Sequence, residues 1–322
     1  MRLPERKWLV AFIWLQFLLF LLYKFILYEA ASCSNTKELV EGQEYFAGHK
    51  RKPSIAIYMA FNHRPSIANW TAENKRLYAQ MHGYTFVQDP PDAISNDRPP
   101  AWHKIGGTQR ILHQFDWVCW FDLDTVITDM NRRIEDVVNP RYDFAVARTW
   151  ELFDVGEETH RYEFRINTGV FCIRNTTWSH WFLQKVWDKT DYITHSNWEQ
   201  RAMQVILREE ATLWPHIQIL DQHEFNCHIL FWHVDDFVLH YSGGMMGCPT
   251  QFNGCENHHI YMCKWAKHRA GLEASLEPYP AKEGDPPYED VGDALRKASA
   301  INVWWPLLPV YPKPTPLNQN PT

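Results

Sequence analysis

Residues 117–121, Trp-Val-Cys-Trp-Phe, form an unbroken apolar run that ends in Asp122 and Asp124. A run with no polar alternation suits a strand buried on both faces, and such a strand needs covering layers on both sides of its sheet. The two aspartates at its C-terminal end then require an explanation. In a strand that continues, period two sends both carboxylates to one side with Leu123 opposite, so two hard oxygen ligands can share one divalent cation. Without a cation their mutual repulsion in a partly buried cleft is costly. The plainer alternative is that one aspartate caps a turn and the other is solvated.

The chain from Pro53 onward alternates strand and helix patterns. Strands are expected at 54–61, 84–88, 144–148, 166–173, 217–220 and 237–241, and helices at 72–82, 102–115, 178–187 and 197–207. This alternation predicts an α/β fold with a mostly parallel sheet covered by helices on both faces, and it places function at the C-terminal strand ends. With 45% apolar residues the chain can bury one sizeable core. A formal net charge of −6, with no basic run longer than 49–52, argues against nucleic-acid binding.

The N-terminus carries a second signal. Residues 8–28 are almost wholly apolar apart from Gln16 and Lys24, with Arg2, Arg6 and Lys7 before them and Glu29, Glu38, Glu41 and Glu44 after. As a helix this stretch reaches roughly 30 Å, enough to cross a bilayer, and the charge bias leaves the short N-terminus in the cytosol. The expected organisation is a cytosolic tail (1–7), a transmembrane signal-anchor helix (8–28), a polar stem (29–52), one folded domain (53–268) and a Pro-rich extended tail (269–322). A cleaved signal peptide is the alternative, with small residues after Glu29. The tail from residue 271 holds ten of the twenty prolines, and its apolar island at 304–308 either packs on the core or docks a partner. Placement outside the cytosol suits the sequons at Asn69 and Asn175 and the seven cysteines.

Several further residues stand out. Lys104 precedes Gly106 and Gly107, and each glycine costs a helix about 1 kcal/mol relative to alanine, which implies a close approach to the backbone. Residues 196–199, Ser-Asn-Trp-Glu, have the capping-box pattern, so Glu199 can cap its helix, while Gln200 lies off the apolar face of Trp198, Ala202, Val205 and Ile206. Cys248, Cys255 and Cys263 with His258 and His259 between them invite a zinc reading, but their spacing fits no common zinc pattern, and disulfides are the preferred expectation in an oxidising compartment. Cys119 and Cys172 lie in predicted strands, as buried thiols or as a bridge.

In order along the chain come Asn74-Lys75-Arg76-Leu77-Tyr78-Ala79, His82-Gly83-Tyr84, Trp102-His103-Lys104, the 117–126 segment, Asn167-Thr168-Gly169-Val170-Phe171, Trp198-Glu199-Gln200 and Asp236-Phe237-Val238-Leu239-His240. Over about two hundred residues this order resembles glycosyltransferase family 34, which groups fungal α-1,2-galactosyl- and α-1,6-mannosyltransferases with plant xyloglucan xylosyltransferases. The resemblance implies a GT-A fold, Rossmann-like and preceded by one membrane helix, in a single-pass type II protein of the Golgi membrane with its catalytic domain in the lumen. It implies a metal site of Asp122, Asp124 and His240 for Mn²⁺ or another divalent cation, where an imidazole beside two carboxylates is suitable chemistry.

By the same resemblance Lys104, Asp122, Asn167, Gly169 and Gln200 bind the donor, and Gln200, Asn167 and Glu199 act in catalysis. The implied activity is a retaining α-glycosyl transfer to a glycan acceptor, of a hexose from UDP-galactose or GDP-mannose first of all, with xylose from UDP-xylose as the further donor the resemblance allows. One departure stands out: the basic residue that family members carry soon after the histidine is missing from the run that follows His240. That departure keeps open a second reading, a catalytically weak subunit in a complex of Golgi transferases. A luminal metal hydrolase would need a fuller His/Asp cluster than the sequence shows.

If the topology is right, the bulk of the chain is protease-protected in intact vesicles, stays in the membrane pellet after alkaline extraction and drops in mass with a glycosidase. Release by alkali would instead mark a cleaved signal.

Overall fold

The computed structural model describes residues 51–61, 65–94, 97–149, 165–229, 231–242 and 255–276. The expected membrane helix, nearly all of the stem and the apolar island of the tail lie outside these residues. Among the described residues no helix is long and apolar enough to cross a membrane.

The chain order is β1 (Ile55–Ala60), α1 (Pro65–His82), β2 (Thr85–Asp89), α2 (His103–Leu112), β3 (Trp117–Phe121), β4 (Thr125–Ile127), β5 (Phe144–Thr149), β6 (Arg165–Arg174), α3 (Thr177–Trp187), α4 (Trp198–Glu209), β7 (Ile217–Leu220), α5 (Gln222–Phe225), β8 (Cys227–His228), β9 (Val238–His240) and α6 (Cys255–Arg269). A six-stranded sheet runs in the order β2-β1-β3-β6-β5-β7, and a second sheet in the order β4-β9-β8. Within the large sheet every strand runs the same way except β6, which is antiparallel to both β3 and β5. The expectation of a mostly parallel sheet thus holds with one reversed strand, which makes the sheet mixed.

Both faces of the large sheet are buried, as the apolar run of β3 requires. Ile55, Ile57, Trp117, Cys119 and Phe121 face one core together with Tyr78 and Ala79 of α1, Met262 and Ala266 of α6, and the second sheet. Ala56, Tyr58, Val118 and Trp120 face the other core with Ile105 and Leu112 of α2, Phe182 and Leu183 of α3, and Ala202 and Met203 of α4. Cys119 and Cys172 are direct cross-strand partners of β3 and β6 and form a disulfide, which settles the choice left open by the sequence.

Three expectations shift. α1 starts at Pro65 rather than residue 72, consistent with a proline tolerated in the first helical turn. Trp198 does not join the apolar face of α4: it is 41% exposed and has a φ of 38°, a left-handed conformation that a bulky residue adopts only under strain. α6 was not anticipated, because its buried face is made partly of His258, His259 and Cys263 rather than of aliphatic residues, and Cys263 is a free buried thiol rather than a partner in the expected disulfide. Burial pushes the two imidazoles down to about 4 and about 3, so both are neutral at physiological pH. Cys263 Sγ lies 3.8 Å from His259 Nδ1, and Cys248 is outside the described residues.

The close approach implied by the glycine pair is real, and the approaching groups are side chains of the protein itself. A Cβ on Gly107 would lie 1.9 Å from Tyr58 Oη, and one on Gly106 would lie 3.2 Å from the Trp187 ring. Tyr58 Oη is committed to a buried cluster, donating to Asp89 at 2.5 Å, and the same carboxylate accepts from His103 Nε2 at 2.6 Å and from Arg110. Gly107→Ala is therefore expected to lower stability by about 1–3 kcal/mol through overpacking. Gly106→Ala should come close to neutral, because about 1 kcal/mol of helix propensity offsets the milder contact. Urea melts of the two variants check this, and equal midpoints would contradict the packing account.

Candidate metal and donor site

The chain leaves the large sheet at Phe121 and joins the second sheet at Thr125, and Asp122, Leu123 and Asp124 make the corner. The backbone N–H and hydroxyl of Thr125 both donate to the Asp122 carbonyl, at 3.3 and 2.7 Å. The aspartates therefore converge through a turn rather than through strand pleating, which corrects the period-two reading. The Asp122 N–H donates to the Gly169 carbonyl at 2.7 Å, which ties the start of the corner to β6.

β4 is held from α1 by residues of the Asn74-Lys75 motif. Asn74 Nδ2 donates to the Ile127 carbonyl at 3.0 Å and its Oδ1 accepts from the Ile127 N–H at 2.9 Å. Lys75 Nζ donates to Thr71 Oγ1 and to the Thr125 carbonyl, both at 2.7 Å. Burial pushes the Lys75 ammonium down to about 8, while Asp122 and Asp124 draw it back up. It remains charged near neutral pH and places a cation behind the two carboxylates.

On its other edge β4 pairs with β9, setting Thr125 opposite His240, and the Tyr241 N–H donates to the Asp124 carbonyl at 2.9 Å. His240 Nε2 lies 3.4 Å from Asp124 Oδ1, and its Nδ1 is buried with no hydrogen-bond partner among the described residues. Burial alone would raise the Asp124 carboxyl, but His240 and His259 beside it hold it below the usual carboxylate range. Ligand atoms of Asp122, Asp124 and His240 all fall within 4.8 Å of one another. Two carboxylates and an imidazole within this distance are a donor set that fits Mn²⁺.

Lys104 is buried and lies between two carboxylates. Its Nζ is 2.9 Å from Asp122 Oδ1, 3.0 Å from Glu199 Oε1 and 3.2 Å from the Thr168 carbonyl. Burial would lower its pKa, but Asp122 and Glu199 more than reverse this, so the ammonium is firmly charged. Glu199 does not cap α4, since no side chain caps that helix. Its Oε1 accepts from Thr168 Oγ1 at 3.0 Å, and its Oε2 is buried without a hydrogen-bond partner among the described residues. Burial and the nearby Asp122 charge push the Glu199 carboxyl up, against the pull of Lys104.

Thr168 and Gly169 project from a bulge in β6, where the pairing with β5 jumps from Val146–Phe171 to Ala147–Asn167. Gln200 Oε1 accepts from the Thr168 N–H at 3.0 Å, so the amide oxygen is used to hold the bulge. Asn167 Oδ1 accepts from the Gly169 N–H at 2.8 Å and from Asn226 Nδ2 at 3.0 Å. Gly169 makes room for a protein group: a Cβ there would lie 2.1 Å from His240 Cε1.

All the residues expected at the site thus meet around the 122–124 corner, but Lys104, Asn167 and Gln200 are each bonded to the protein. Sequence reasoning missed several of their partners. Trp120 Nε1 donates to Asp122 Oδ1 at 2.6 Å, and Asn226 orients Asn167. His228, opposite His240 in the β8–β9 pairing, is pushed down to about 4 by burial and by His240. A tryptophan two residues before an aspartate was a readable signal, whereas Asn226 and His228 lie in a segment with no periodicity.

Comparison with known proteins places the chain in a family. The profile of the galactosyl transferase GMA12/MNN10 family matches residues 52–144 and 158–259, more than half of the chain, and the chain belongs to that family. It is 25% identical over 242 residues to the probable alpha-1,6-mannosyltransferase MNN10 of Saccharomyces cerevisiae, covering 60% of this chain and 61% of the relative. It is 22% identical over 216 residues to an alpha-1,2-galactosyltransferase of Schizosaccharomyces pombe, covering 56% and 57%. The match therefore spans under two thirds of each relative. A solved glycosyltransferase involved in glycosylation of the major capsid of PBCV-1 is 17% identical with a TM-score of 0.49, covering 66% of this chain and 100% of its own.

The contact between Gly169 and His240 generates a prediction that touches no ligand directly. Gly169→Ala must displace the His240 ring, so Mn²⁺ affinity should fall by about 10–100-fold, the scale for disturbing a group that orients a metal ligand. Calorimetric titration of Mn²⁺ reads the loss, with circular dichroism to show an intact fold. Unchanged affinity would remove His240 from the ligand set.

Proposed function

We propose that this family member is a retaining, Mn²⁺-dependent α-glycosyltransferase of GT-A type. It moves a hexose, galactose or mannose, from a nucleotide-sugar to a glycan acceptor in the Golgi lumen, and an N-terminal signal-anchor holds it there. The observation that carries the reading is the convergence of Asp122, Asp124 and His240 at the corner between the sheets, beside the Lys104–Glu199–Gln200 group. Family membership supports the transferase class, and the Cys119–Cys172 disulfide suits an oxidising lumen.

Asp122, Asp124 and His240 would hold the cation, which when bound neutralises the donor diphosphate and its developing charge. Lys104 fixes Asp122 and Glu199 in place through its two ion pairs. Glu199 Oε2, which has no hydrogen-bond partner among the described residues, would offer negative charge to the cationic anomeric centre in the transition state. With its oxygen on Thr168, Gln200 keeps its amide N–H₂ to donate to a sugar hydroxyl. Asn167 and Asn226 hold the bulge that shapes this wall.

Asp122 and Asp124 are committed to the cation, and Glu199 lies against Lys104 rather than free to serve as a base on the acceptor side. The acceptor hydroxyl then enters on the leaving-group face and gives its proton to the departing phosphate, which retains configuration. The product should be α-linked, and a β coupling in its proton NMR spectrum would overturn the retaining assignment. Gln200→Ala should lower kcat by about a hundredfold or more, the scale for one lost transition-state hydrogen bond, with Mn²⁺ binding intact. A calorimetric screen of UDP-galactose, GDP-mannose and UDP-xylose identifies the donor. Mn²⁺ binding with neither transfer nor donor hydrolysis would favour the role of a subunit in a transferase complex.

A further inference from the structure

A second group of ligating side chains lies in the segment that leads from β7 to β9. His223 sits in α5, Cys227 in β8 and Asp236 just before β9. His223 Nδ1 is 2.9 Å from Asp236 Oδ2 and 3.5 Å from Cys227 Sγ, and all three ligand atoms lie within 4.8 Å of one another. In a tetrahedral zinc site, bonds of roughly 2.0–2.3 Å separate neighbouring ligand atoms by roughly 3.3–3.8 Å. The observed spacings need to open by only a few tenths of an ångström at the shortest pair.

The Cys227 thiol also reaches the His228 carbonyl at 3.6 Å, so its proton has an acceptor before any ion binds. His223 Nδ1 carries at most one proton, yet it faces both a carboxylate oxygen and a sulfur. Asp236 Oδ2 already accepts from the His233 N–H at 2.7 Å, so the carboxylate is held in place independently of His223. The Asp236 carbonyl is fixed too, by the Thr128 hydroxyl at 2.7 Å. Cys227 and Asp236 are buried, while His223 is only partly covered, which leaves a path for an ion. The His233 ring stacks on His223 with centroids 4.9 Å apart, and its Nδ1 is 4.0 Å from Asp236 Oδ2, close enough to become a fourth ligand.

We infer that His223, Cys227 and Asp236, with His233 as fourth ligand, form a structural site for a borderline-soft divalent cation of the zinc class. A thiolate, imidazoles and one carboxylate select zinc over manganese, whereas the oxygen-rich corner at Asp122 and Asp124 selects the harder ion. The segment it closes carries Asn226, which orients Asn167, and leads into His240. The zinc would clamp the loop that completes the donor site.

The test uses the full-length chain loaded with Co²⁺ in place of zinc. A thiolate-to-cobalt charge-transfer band, with the intense visible bands of a tetrahedral ion, is expected from the unmutated protein and also from Asp124→Ala. The corner at Asp122 and Asp124 contains no sulfur and cannot give the charge-transfer band. Cys227→Ser should abolish it, and His223→Ala should release the zinc retained by Asp124→Ala after dialysis, measured by elemental analysis. Absence of the band in the unmutated chain overturns the proposal without recourse to any variant. So does a band that survives Cys227→Ser.

Discussion

The site depends on one crossing of the chain between two sheets. β3 is committed to the large sheet by pairing with β1 and β6, and β4 to the small one by pairing with β9, so the three residues between them have no ladder of their own. A turn with both its ends fixed in sheets can hold two carboxylates together against their repulsion, which a free loop would relieve by moving apart. The bonds from Asn74 and Lys75 to β4, and from Gly169 to Asp122, keep the corner closed.

Charge around that corner is nearly balanced within the protein. Asp122 and Glu199 share Lys104, and Lys75 lies behind Asp122 and Asp124. Removing one partner from a buried arrangement of this kind strands the others and typically costs about 3–5 kcal/mol. Lys104 therefore has a structural part as well as an electrostatic one, unlike a surface lysine waiting for phosphate. Asp124 has no ion pair with a lysine or arginine among the described residues and depends on His240, 3.4 Å away, which leaves this carboxylate the least compensated of the three.

The strands were legible where burial on both faces leaves an unmistakable pattern. The run from Trp117 to Phe121 and the tetrapeptide Ile217–Leu220 fall where period and composition put them. The gathering of Asp122, Asp124 and His240 was legible only through motif order, since no local rule links residues more than a hundred positions apart. Other features came from tertiary packing and left no local trace. The turn at 122–124 looks like continuing strand, and Glu199 looks like a helix cap until Lys104 is seen beside it. Gly169 looks like a residue yielding space to a ligand, whereas it yields space to His240. In α6, histidines and a cysteine replace the expected aliphatic stripe, so hydrophobic periodicity could not reveal the helix.

The most direct test of the central claim is anomalous diffraction at the manganese edge from crystals grown with Mn²⁺ and, in parallel, UDP or GDP. The account predicts a peak within bonding distance of a carboxylate oxygen of Asp122, one of Asp124 and a ring nitrogen of His240, with the nucleotide diphosphate on its open side. A nucleotide bound with no manganese at that corner, or manganese held elsewhere in the chain, would contradict it.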